Sequence, residues 1–232
     1  MKTFAKISFY YAAAIIFIAV SFLIFFFKLL PKPFGIKLSS SIVNRGLFYR
    51  VKTFGQEDTD AQMLLVNHQS GIDIPLLEGQ TKSDLAWVAK QELFDMPFLG
   101  LGVKLPNDIP LQRESKTALI TLIRECKDRI ASGRIVTIFP EGTRSKNRRM
   151  AKFKPGAQMV ANKLQLKVQP VVLVGTSNAF DSSARIFYPF KTLHVVFLDA
   201  FVADKSDKEW LNNIQIKMQK VYDEHANTLG YR

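Results

Sequence analysis

Cysteine is almost missing from this chain. Cys126 is the one thiol in 232 residues, which excludes an intramolecular disulfide and any Cys-cluster metal site. Histidine is scarce as well: His68, His194 and His225 stand far apart without ligand spacing, which argues against zinc. There is no G-x-S-x-G turn, no Walker loop, no internal repeat and no low-complexity tract. Acidic residues are missing from the whole N-terminal quarter, where Glu57 is the first. Residues 1–56 instead carry eight Lys or Arg and 10 of the 19 Phe. A segment both basic and aromatic points to an anionic membrane surface.

Over the full chain, 32 Lys and Arg against 20 Asp and Glu give a net charge of +12, and 47% of residues are hydrophobic. Such a chain can build a core, and its charge favours an acidic partner. Ile7 to Phe27 is 21 residues without a charge, bracketed by Lys6 and Lys28. As a helix it would reach about 31 Å, close to one hydrocarbon thickness, so the sequence predicts a membrane-embedded helix. The run is too long for a cleaved signal peptide and lacks a small-x-small site after it. Pro31 and Pro33 should end this helix, and Ile36 to Phe54 reads as an amphipathic interfacial helix. Basic residues after Lys28 outnumber those before Ile7, which predicts a cytoplasmic location for the rest. Residues 1–56 are thus expected to anchor a globular domain at 57–232.

That domain alternates short β-rich runs with helical stretches. Gln62–Val66, Leu85–Ala89, Arg134–Phe139, Val168–Val174 and Leu193–Leu198 read as strands, several of them continuously apolar. Ser115–Ala131 reads as a helix capped by Ser115 and stopped near Gly133. Cys126 lies on its apolar stripe as a structural thiol. Lys208–Leu229 reads as a second long helix. The expected class is α/β, a mostly parallel central sheet flanked by helices, with the N-terminal helical segment in the membrane.

Two loops at strand ends carry chemistry. Asn67-His68-Gln69-Ser70-Gly71-Ile72-Asp73 follows the first strand directly. Gly71 is expected to permit a tight turn that returns Asp73 to His68, orienting the imidazole so that its second nitrogen takes a proton. Asn67 is expected to brace the turn. Phe139-Pro140-Glu141-Gly142-Thr143-Arg144-Ser145 follows another buried strand. Gly142 there permits close approach, and Arg144 can fork onto a phosphate. The competing readings are a capped Asn-His turn and a solvated basic loop.

Together these two motifs resemble the glycerolipid acyltransferase family, in particular its bacterial members that acylate 1-acylglycerol-3-phosphate. Val88–Leu93, Pro97–Gly100 and Pro110–Arg113 resemble the family's second block; Phe153–Ala157 and Val168–Val172 resemble later ones. The resemblance covers about residues 60–180. It implies transfer of a fatty acyl group from acyl-CoA or acyl carrier protein to the sn-2 hydroxyl of lysophosphatidic acid, giving phosphatidic acid, without metal or bound cofactor. His68 would be the general base and Asp73 its orienting partner. Glu141, Gly142, Thr143 and Arg144 would bind substrate, helped by Lys90 and Arg113, and Asn67, Gly71 and Pro140 would shape the site. Backbone amides after Gly71 would serve an oxyanion, and Ser70 is a minor candidate nucleophile. The resemblance places the enzyme on the inner membrane with its domain on the cytoplasmic side. Other lysophospholipids, a lyso-aminolipid or glycerol-3-phosphate stay open as acceptors. A non-catalytic basic membrane protein is the distant alternative. Nucleic acid is not expected as a partner, because charge alone would not require His68, Asp73 and Glu141 in these loops.

Overall fold

A computed structural model of the chain describes residues 2–26, 32–97, 100–112, 117–145, 148–181 and 183–231. Its N-terminal part holds α1 (Lys2–Phe26), α2 (Lys32–Gly46) and β1 (Arg50–Phe54). Next come β2 (Met63–Val66), α3 (Asp73–Glu78), β3 (Leu85–Lys90), α4 (Gln91–Asp95), α5 (Leu101–Lys104), β4 (Ile109–Leu111) and α6 (Ala118–Ala131). The remainder is β5 (Ile135–Ile138), α7 (Gly156–Leu164), β6 (Lys167–Val174), α8 (Thr176–Ala179), β7 (Phe180–Asp181), β8 (Ile186–Phe187), β9 (Thr192–Phe197), β10 (Phe201–Val202) and α9 (Trp210–Thr228).

The central sheet runs β1-β9-β6-β2-β5-β3-β4, with β10 also paired to β6. Pairing is parallel except at β6–β9 and β6–β10. The apolar runs that mark the strands follow from burial on both faces. In β2, Met63 and Leu65 enter one core while Leu64 and Val66 enter the other. In β6, Val172 and Val174 alternate in the same way with Val171 and Leu173. One core lies under α6, α7 and α9 and includes Cys126, whose thiol burial pushes up to about 12. The other lies under α1, α2 and α3.

The N-terminal quarter departs from expectation. α2 stops at Gly46, Phe48 takes a left-handed φ of 53°, and residues expected to continue a helix to Phe54 form β1. Val51 pairs with Leu193 there, in register with β9. The boundary expected at residue 56 therefore falls between two strands of one sheet. α1, α2 and the residue after α2 also bury Ala12, Ala19, Val43 and Leu47 in the core shared with β2 and β6. Along α1 the outer positions Phe4, Ile7, Tyr10, Phe17 and Ile18 stay exposed, an apolar stripe at helical spacing. Among the described residues no helix is long and apolar enough to cross a membrane, so the expected membrane-embedded helix is not supported. Phe27, Lys28, Pro31 and the capping Ser115 lie outside the described residues.

Candidate active site

Because β2 and β5 are parallel neighbours, their following loops emerge at the same edge of the sheet. Leu65 pairs with Ile138, so three residues on, His68 comes opposite Glu141. The His68 amide accordingly donates to Glu141 Oε1 at 2.8 Å. Ser145 closes the arrangement, donating from its amide and its hydroxyl to the His68 carbonyl at 2.8 and 3.1 Å.

His68 and Asp73 meet as expected. Nδ1 lies 2.8 Å from Asp73 Oδ2; the aspartate is fully buried and the imidazole about one-fifth exposed. The amides of Gln69 and Ser70 donate to the same Oδ2 at 2.7 and 2.8 Å. Three groups on one oxygen fix the carboxylate, which then fixes the ring. The ring also lies flat on Phe139, with centroids 3.9 Å apart and an interplanar angle of 13°. Trp87 backs Phe139 at 5.1 Å and donates its indole N–H to Glu78. This aromatic support was not visible in the sequence. Phe139 heads a motif, but only the β2–β5 register puts it under the imidazole.

Several expected roles change. Glu141 is buried, and its second oxygen accepts from the Ala151 amide at 2.7 Å, so each of its oxygens braces backbone. Burial holds its carboxyl above the ordinary range, against the pull of these amide bonds. Gly71 keeps an ordinary backbone conformation, and the nearest atom to an added Cβ would be 3.6 Å away, so the turn does not require glycine there. Gly142 is the residue that does, with φ 69° in the turn its amide closes onto the Phe139 carbonyl at 2.9 Å. Asn67 braces strands more than the turn: its amide group exchanges two hydrogen bonds with the backbone of Leu173, at 2.9 and 2.7 Å. The amides of Ile72 and Asp73, offered above to an oxyanion, fold back onto Ser70. Ser70 itself is buried and donates its hydroxyl to the Phe180 carbonyl at 2.6 Å, which suits a structural role. Pro140 is buried, and its carbonyl receives the Lys154 amide at 2.8 Å.

Two hollows flank the turn. A polar pocket of about 370 Å³ is lined by Gln69, Ser70, Thr143, Arg144, Asp181 and Ser183, among others. On the other side, Gly71, Ile74 and Trp87 join Ile16, Ala19 and Val43 around a mainly apolar cavity of about 230 Å³. Thr143 and Arg144 thus reach the polar pocket. Lys90 ends β3 at the same sheet edge, exposed, and does not line that pocket. Arg113 lies outside the described residues. Asp181 and Ser183 were not anticipated; short, mixed Asp-Ser-Ser sequence carries no strand signal.

The family model described as Acyltransferase matches residues 50–174. A 1-acyl-sn-glycerol-3-phosphate acyltransferase of Helicobacter pylori is 37% identical over 181 residues, 78% of this chain and 76% of that protein. A chloroplastic 1-acyl-sn-glycerol-3-phosphate acyltransferase of Arabidopsis thaliana is 30% identical over 69% of this chain, which spans 46% of that relative. In fold, the crystal structure of the 1-acyl-sn-glycerophosphate acyltransferase of Thermotoga maritima superposes with a TM-score of 0.76 at 22% identity, covering 100% of this chain and 99% of that one. With both of its motifs folded into one oriented histidine site, the chain belongs to the acyltransferase family.

Proposed function

We propose that the protein transfers a fatty acyl group from a thioester, acyl-CoA or acyl carrier protein, to the sn-2 hydroxyl of 1-acylglycerol-3-phosphate, forming phosphatidate. One observation carries this most: the His68 turn separates an apolar cavity from a polar pocket holding Arg144. That is the division an acylated, phosphorylated glycerol requires. An acyl chain suits the first, and a phosphate with its glycerol suits the second.

With Nδ1 held by Asp73, Nε2 is the nitrogen left to act as base. As the acceptor hydroxyl attacks the thioester carbonyl, its proton passes to Nε2 and the new C–O bond forms. Collapse of the tetrahedral intermediate breaks the C–S bond, and the imidazolium returns the proton to the leaving thiolate. Asp73 stabilises the imidazolium in between. General-base help of this kind contributes about 10²–10⁴-fold. Glu141 acts at one remove, holding the backbone of His68.

The exposed stripe on α1, with Phe4, Ile7, Tyr10 and Phe17, would rest in the membrane face that supplies the acceptor. The basic N-terminal quarter favours anionic headgroups on the cytoplasmic side of the inner membrane, which acyl thioesters reach.

The test is acceptor kinetics. Arg144→Ala should raise KM for 1-acylglycerol-3-phosphate by roughly 10–100-fold, the worth of a forked guanidinium–phosphate contact, and leave the donor KM in place. Arg144→Lys should recover part of it. A rise confined to the donor KM would move Arg144 to the thioester carrier's site. Faster turnover of a lyso-aminolipid than of lysophosphatidate would replace the acceptor assigned here.

A further inference from the structure

β7 and β8 form a hairpin whose strands are two residues each. A ribbon that short does not hold itself in water and needs packing from outside. Yet its turn lines the polar pocket through Asp181 and Ser183. There Asp181 Oδ1 accepts from the Ser183 amide, the Ser183 hydroxyl and the Ala184 amide at 2.8, 2.6 and 3.0 Å.

Two supports hold the hairpin. From the catalytic turn, Ser70 donates its hydroxyl to the Phe180 carbonyl. From α1, Phe9 stacks on Phe180 with centroids 5.3 Å apart and planes within 16°, and Ser8 donates to the Phe187 carbonyl at 2.8 Å. Phe180 and Phe187 are almost fully buried by this packing. The N-terminal helix is therefore linked through one hairpin to the turn that carries His68.

We propose that α1 belongs to the acceptor site: its inner face fixes the β7–β8 hairpin as one wall of the polar pocket. Ser8, Phe9, Ser70 and Phe180 are then positioning residues for the phosphorylated headgroup of the acceptor. This rests on the polar pocket being the acceptor's, as proposed above. The outer face of the same helix is the exposed apolar stripe, and the hairpin is held by the inner face alone. Acceptor affinity then depends on α1 even for an acceptor dissolved in water.

The experiment uses the full chain in detergent micelles with a water-soluble, short-chain 1-acylglycerol-3-phosphate and a fixed acyl-CoA. Phe9→Ala should raise the acceptor KM about tenfold, with kcat and donor KM within about twofold, and Phe9→Tyr should restore the wild-type value. Ile18→Ala removes a similar side chain from the outer face of the same helix and should leave the acceptor KM within about twofold. A second readout is independent of activity. Hydrogen exchange at the Ser183 and Ala184 amides should quicken at least about tenfold in Phe9→Ala, while the amides of β2 and β6 keep their protection. Unchanged acceptor KM in Phe9→Ala, or an equal rise in Ile18→Ala, overturns the proposal. If the wild-type protein acylates no lysophosphatidate, the functional assignment fails, and the exchange arm decides the coupling by itself. Unchanged exchange in Phe9→Ala then overturns it.

Discussion

His68 owes its orientation to more than Asp73. Phe139 lies under the ring, Glu141 and Ser145 hold the backbone on either side, and all three come from the loop after β5. Glu141 makes the distinction between binding and bracing testable. Each of its oxygens accepts a backbone N–H, whereas the amide in Glu141→Gln accepts at one atom and would set N–H against N–H at the other. The expected cost is about 1.5–3 kcal/mol, a fall in Tm of roughly 3–12 °C for a chain of this size, along with loss of activity. Exposed Arg144, changed to Ala, should leave Tm nearly in place while acceptor KM rises. A Glu141→Gln protein with wild-type Tm and only a raised acceptor KM would show that the carboxylate meets substrate. The meeting of His68 with Asp73 and the approach of the Arg144 loop to the same turn were legible from residue type and spacing. The bracing role of Glu141 was not, because a motif's letters do not say which side chain turns inward.

At the scale of elements, the inner strands were legible because cores on both faces demand uninterrupted apolar residues. β1 was hidden because it is an edge strand with mostly exposed side chains, so its Arg, Lys and Thr read like the polar face of a helix. The β7–β8 hairpin was hidden because two residues per strand leave no alternation to see. α9 was legible as a long helix, but its service to the site was not: Gln215 and Gln219 bond the backbone of Phe153, Ala151, Met150 and Arg148 in the loop after the second motif.

The approach to β4 carries a pH dependence. Asp108 is buried where it accepts the Trp87 amide, and burial pushes its carboxyl up to about 7. Between roughly pH 4 and 7 the folded chain keeps a proton that the unfolded chain has released, so stability falls as pH rises through that window, by a few kcal/mol. The urea midpoint should drop from pH 5 to pH 8. Asp108→Asn keeps an oxygen for the Trp87 amide and buries no charge, so its midpoint should depend less on pH. Some slope should persist, since burial also raises Glu78 nearby. Equal slopes in the two proteins would remove Asp108 as the cause.

At the scale of the whole molecule, the N-terminal quarter is part of the core and of the central sheet. A chain starting at Gln56 would lose β1 from the edge of β9, and with it Val43, Leu47 and Tyr49 from the core under the sheet. The separately folded domain expected at 57–232 should therefore not form. Size exclusion and thermal melting should show an aggregated or non-cooperative fragment; a monomer melting cooperatively near the full chain's Tm would contradict this. The decisive measurement is acyl transfer itself, in vesicles containing 1-acylglycerol-3-phosphate, with wild-type and His68→Ala proteins of matched fold compared side by side. Wild type should convert acyl thioester and lysophosphatidate to phosphatidate, and His68→Ala should be slower by about 10²–10⁴-fold. Near wild-type turnover in His68→Ala would contradict the general-base mechanism on which the assignment of this site depends.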